Sequence, residues 1–172
     1  REVYRQYGIR VLLGTYGGFY SREAIDTRGV EEHARLMVRA FGAEPWLLGW
    51  QVGNEGNLYR YGQPLWKRAL TFFRGDASYV DTMARVARVI KTEEAGLQRR
   101  YPNLKHPVLL GLGDGHSRDV NRDRSVDFKD ALAEVLRVDP SRRLFDAIGG
   151  NIYPKSGTSR YDDVNALVKA AG

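Results

Sequence analysis

The chain has 172 residues, 42% of them hydrophobic and 28% charged, with 11% aromatics, 19 glycines and no cysteine. That balance fits one ordinary globular domain, excludes a collagen-like or fully disordered chain, and leaves no disulfide, thiolate metal site or cysteine nucleophile. Twenty-seven Lys and Arg against 21 Asp and Glu give a net charge of +6, yet the bases are scattered and no basic stripe is interleaved with aromatics, so the charge does not point to nucleic acid.

Arg99, Arg100, Arg142 and Arg143 fall at expected helix ends, where cations suit the helix dipole. Apolar runs such as Pro107 to Leu110 are far too short to span a bilayer, and Arg1, Glu2, Tyr4 and Arg5 lack the apolar core of a secretion signal.

In chain order, Arg1 to Gly8 reads as the tail of a helix that runs into a strand, Ile9 to Thr15. Three more short apolar segments, Leu47 to Val52, Val108 to Leu112 and Asp146 to Ile152, end in Gly, Asn or Asp as buried parallel strands do. Four helical stripes lie after them: Val30, Ala34, Met37, Val38 and Phe41; Val80, Met83, Ala84, Ala87 and Ile90; Phe128, Ala131, Leu132, Val135 and Leu136; and Val164, Leu167, Val168 and Ala171. Ser78 with Asp81 resembles a capping box, and Gly42 follows Phe41 where a helix should stop.

Strand and helix therefore alternate four times in one domain, residues 1–172, with an enlarged loop from Gly56 to Gly75. This repetition predicts an α/β fold with parallel strands and right-handed crossovers. Two architectures fit, a small doubly wound sheet or four consecutive βα units of a (β/α)8 TIM barrel, and the way the chain starts and stops favours the partial barrel.

The most specific segment is Leu47-Leu-Gly-Trp-Gln-Val-Gly-Asn-Glu-Gly-Asn57. It delivers Asn54 and Glu55 to the carboxyl end of a strand, the end at which an α/β barrel gathers its catalytic groups. A carboxylic acid there can protonate a glycosidic oxygen and later, as carboxylate, activate water. A neighbouring amide can hydrogen-bond a sugar hydroxyl.

This segment resembles the fourth strand of the large clan of retaining glycoside hydrolases built on (β/α)8 barrels, whose acid/base is the Glu of an Asn-Glu pair. Tyr7 to Gly14 is similar to the third strand, Pro107 to Gly113 to the fifth, and Phe145 to Pro154, with its Asp-x-x-x-x-Asn-x-Tyr pattern, to the sixth. The resemblance implies a retaining β-glycosidase or transglycosidase acting on carbohydrate, with Glu55 as general acid/base, Asn54 on the sugar 2-hydroxyl, Tyr153 near the anomeric centre or the nucleophile, and Asn151 as a further substrate-binding residue. It also implies that the nucleophile lies on a seventh strand, outside this chain, so that the remainder of the barrel belongs to the parent protein and the chain alone is inactive. Asp162 and Asp163 read as first-turn helix acids and do not supply it. The likeness to secreted carbohydrate enzymes suggests export of the parent.

Aromatics crowd the same rim. Tyr16, Phe19 and Tyr20 follow the first strand, Trp50 lies in the Glu55 strand, and Tyr59, Tyr61 and Trp66 occupy the enlarged loop, where ring faces suit the C–H faces of sugars. Asp114 and His116 after the third strand are further candidates for substrate hydrogen bonds. No dinucleotide or phosphate-binding glycine motif is present, so no organic cofactor is expected.

Within 117–130, Asp119, Asn121, Asp123, Ser125, Asp127 and Asp130 place oxygens at the spacing of a calcium loop. The segment resembles EF-hand-like loops, most closely the dockerin type, and implies a structural Ca2+. Arg124 stands where such loops carry Gly. The same residues also suit a solvated acidic loop in which Asp127 caps the helix at Phe128. Two other functions stay open at this point: a non-catalytic glycan-binding barrel, and a self-contained doubly wound binding domain.

Overall fold

The computed structural model describes residues 1–15, 27–54, 79–113 and 128–151. In chain order these form α1 (Glu2–Tyr7), β1 (Val11–Gly14), α2 (Thr27–Phe41), β2 (Leu47–Val52), α3 (Tyr79–Gln98), β3 (Val108–Gly113), α4 (Phe128–Val138) and β4 (Ala147–Asn151). The strands make one sheet in the order β1-β2-β3-β4, and every pairing is parallel. The expected α/β alternation is thus present. The stripe from Val164 to Ala171 lies outside the described residues.

Parallel partners project to the same side of a sheet, and successive residues to opposite sides. One face carries the register rows Leu13, Trp50 and Val108, then Val52, Leu110 and Ile148. Trp50, Val52, Val108, Leu110 and Leu112 are fully buried in one cluster with Val30, Ala34 and Val38 of α2 and Val80, Met83, Ala84, Ala87 and Ile90 of α3. Each such burial of a large apolar side chain is worth about 1.5–3 kcal/mol against leaving it in water. The first two helical stripes read from the sequence are the faces that supply this core; of the third, Val135 is buried with it while Leu136 is exposed.

The helices stand side by side in the order of their strands. Glu93 of α3 accepts Arg39 of α2 at 3.0 Å, Arg85 of α3 reaches Glu31 at 2.6 Å, and Arg137 of α4 reaches Asp81 of α3 at 3.2 Å. These exposed pairs add little stability individually, but they fix the neighbours. A right-handed crossover between adjacent strands puts each helix on the same face, so strand order and helix order agree. Among the described strands the order never reverses, and a doubly wound sheet needs that reversal to form its ligand crevice.

Element ends follow from local chemistry. Gly8, at φ 69°, closes α1 in the left-handed region and donates its N–H to the Tyr4 carbonyl at 2.8 Å. After α2, a Cβ on Gly42 would lie 2.6 Å from the Val38 oxygen of the helix's own last turn and 2.8 Å from Leu97 Cδ1 of α3, so a side chain there would clash with the backbone that ends α2. Asp81 does lie in the first turn of α3; its expected partner Ser78 is outside the described residues. β1 is shorter than expected: its ladder opens where the Val11 N–H meets the Trp46 carbonyl, and a register shift follows at once.

Arg142 and Arg143 fall beyond the end of α4, in a turn organised by Asp139. The Asp139 carboxylate, almost wholly buried, accepts the backbone N–H groups of Arg143 at 2.9 Å, Leu144 at 2.8 Å and Phe145 at 3.3 Å. Burial alone would push this carboxyl up, but the three N–H donors and the Ser141 hydroxyl outweigh it and hold it below the usual range. A carboxyl lowered by folding stabilises the fold above its unfolded value of about 4 and loses that contribution as the pH falls through the folded value. Urea midpoints measured downward from about pH 6 should therefore fall, and Asp139→Asn should flatten that fall while costing about 1.5–3 kcal/mol near neutrality. A variant that followed the wild-type pH curve would remove Asp139 as its cause.

Candidate functional site

Because the four strands are parallel, their carboxyl ends meet at one edge of the sheet. Thr15 follows the first, Asn54 lies just past the second, Gly113 ends the third and Asn151 the fourth, with Gly113 and Asn151 register partners. Thr15 is buried, and both its N–H, at 3.0 Å, and its hydroxyl, at 3.3 Å, donate to the Gln51 carbonyl. Any catalytic group carried just past these strands starts from this edge.

β2 leaves the sheet through Gly53, at φ 69°, a conformation that L side chains rarely adopt. Gln51 Nε2 donates to the Gly53 carbonyl at 3.3 Å. Across the sheet, a Cβ on Gly111 of β3 would stand 2.5 Å from that same carbonyl oxygen. Asn54 is the next residue, half-buried and hydrogen-bonded or otherwise engaged. The expected acid/base, Glu55, is covalently next and lies outside the described residues, as do Tyr16, Tyr59, His116 and Tyr153. For Asn151 the backbone alone is described, as the last residue of β4.

Trp50 requires a correction. The sequence suggests a place on the substrate rim, but the side chain is fully buried between sheet and helices, and its indole N–H donates to Glu94 Oε1 of α3 at 2.8 Å. The ring shares its face of β2 with Val52, the helix side, so it offers no surface to a sugar. Asp146 likewise turns out to hold the fold. Its Oδ2 accepts the Val108 N–H and Lys91 Nζ, both at 2.9 Å, which locks the entry of β4 to β3.

Of the calcium-loop residues, Asp119, Asn121, Asp123, Ser125 and Asp127 lie outside the described residues. Asp130 falls in the first turn of α4, which begins at Phe128.

Sequence reasoning missed a cluster at the other end of the strands. Glu94, 4% exposed, accepts Trp50 and also pairs with His106 Nδ1 at 2.6 Å, and His106 stacks edge-on against Trp50 at 6.3 Å. The signal was present, since Glu94 continues the apolar stripe of Met83, Ala87 and Ile90 where a carboxylate needs partners. His106, Arg10, Lys105, Asn103 and Leu48 line an open cleft of about 280 Å³ there. It lies at the amino ends of the strands, away from Asn54. Among the described residues no group of three or more acidic, histidine or cysteine side chains is arranged to hold a metal, and no helix is long and apolar enough to cross a membrane.

Comparisons with protein-family models, with curated proteins and with solved structures each find no match to this chain.

Proposed function

We propose that this chain is four consecutive βα units from the (β/α)8 catalytic barrel of a retaining β-glycosidase or transglycosidase, with Glu55 as its general acid/base. One observation carries the reading: Asn54, the residue before Glu55, stands just past the carboxyl end of β2 in a parallel sheet whose strands run in sequence order. That is the edge at which a barrel collects reacting groups.

In the proposed mechanism Glu55 donates a proton to the leaving oxygen while a carboxylate from a later strand, outside this chain, attacks the anomeric carbon. The C–O bond to the leaving group breaks, a glycosyl ester forms, and Glu55 then takes a proton from the water or sugar hydroxyl that displaces the ester. The Asn54 amide would hold the 2-hydroxyl through both steps. Retention requires the two carboxyl groups to stand about 5–5.5 Å apart.

The test is to incubate the complete encoded protein with a panel of aryl β-glycosides and follow the anomeric proton of the released sugar by NMR. Release of the β-anomer first is the expected result. First release of the α-anomer would overturn the retaining mechanism, and no turnover across the panel would favour a barrel that binds glycans without cleaving them.

A further inference from the structure

The turn that presents Asn54 is held by two residues that carry no reacting group. Gln51 and Gly111 lie on the sheet face turned away from the helices, Gln51 in register with Leu109 and Gly111 two residues further along β3. The Gly53 carbonyl fills the space a side chain at Gly111 would need. An ideal Cβ there would be 2.5 Å from the Gly53 oxygen, 3.2 Å from its carbon and 3.0 Å from Gln51 Nε2. The same carbonyl receives the Gln51 amide at 3.3 Å. Gly53 itself sits at φ 69°, so the chain turns sharply where the carbonyl is gripped. Gln51 is anchored in its turn, because its own carbonyl takes both Thr15 donors.

We infer that Gly111 and Gln51 are positioning residues that set the direction in which the chain leaves β2 toward Glu55. The inference rests on the proposed role of Glu55. The clash at Gly111 is with backbone, which cannot swing aside as a side-chain tip can. A methyl there must push the Gly53 carbonyl outward by a large fraction of an ångström, and a displacement of about 1 Å can cost on the order of 100-fold in rate when it misaligns a catalytic group.

Proton donation gives this role its own signature. Alkyl β-glycosides need the acid to expel a poor leaving group, whereas 2,4-dinitrophenyl β-glycosides do not. In the complete protein, Gly111→Ala should lower kcat/KM about 100-fold on an alkyl β-glycoside and less than about tenfold on the dinitrophenyl substrate. Gln51→Met, which keeps length and loses the donor, should show the same preference at about a tenth of the size. Deuterium uptake by a peptide covering residues 52–56 should rise about tenfold in both variants, with the interior of β3 unchanged. Equal losses on both substrates, or no loss, would overturn the inference while leaving Glu55 in place. If the wild type cleaves neither substrate, the proposed function fails instead, and deuterium uptake alone decides whether the turn is held: unchanged uptake in both variants would sink the positioning role.

Discussion

The Glu55→Ala substitution in the complete protein is expected to lower kcat/KM on alkyl β-glycosides by about 10²–10⁴-fold, the contribution of one well-placed general acid. The loss should shrink on dinitrophenyl substrates, because their leaving group departs without a proton. For those substrates the covalent intermediate should accumulate, since the same carboxylate is needed to activate water in the second step. Azide enters the space vacated by the carboxylate and needs no base, so it should restore turnover and yield the β-glycosyl azide. The limb of the pH profile that reports the acid should disappear in the variant. Product analysis by NMR checks the stereochemistry and initial rates check the rest. A Glu55→Ala protein that retains wild-type rates would end the assignment, whatever the fold.

The second large effect concerns stability. Trp50→Ala empties a fully buried site at the centre of the sheet and helix layers, and truncating a buried aromatic to alanine costs about 3–5 kcal/mol. It also strips Glu94 Oε1 of the indole donor at 2.8 Å, leaving His106 at 2.6 Å as its remaining described partner. Against a typical total of about 5–15 kcal/mol, the variant should unfold at markedly lower urea concentration. Trp50→Phe should lose less, about 1–3 kcal/mol, since it fills most of the volume while removing the N–H and leaving a small void. A rim residue would behave in the opposite way, with stability near wild type and KM raised. Urea melts beside substrate kinetics therefore separate the two roles of this side chain.

Both roles were open in the sequence, and the contrast indicates what can be read there. β2 at Leu47–Val52 and the helices starting at Thr27, Tyr79 and Phe128 follow from apolar spacing and glycine stops, which are local properties. Trp50 was also legible in principle, because strand alternation places it with Val52 on the helix side. Its aromatic character and its closeness to Asn54 pointed instead to the rim. Asn54 past the end of a strand was readable for the same local reason. The contact between Gly53 and Gly111 was not. It joins two strands separated by α3, and nothing in the glycines themselves distinguishes a strand interior from a crowded crossing. Glu94 needed the identity of its two donors, which come from other elements.

The strictly consecutive strand order bears on how the protein is made. Among the described residues every ladder joins a strand to the next one synthesised: β1 to β2, β2 to β3 and β3 to β4. No described strand has to wait unpaired for a partner that leaves the ribosome two units later. The sheet can therefore extend one unit at a time during translation, each new helix covering the strand just added. Such growth keeps pairing close in sequence and limits the time an apolar strand spends exposed to aggregation. The step most open to failure is the joining of β2 to β3, because the longest stretch of chain, including the enlarged loop, must emerge before that pair can close.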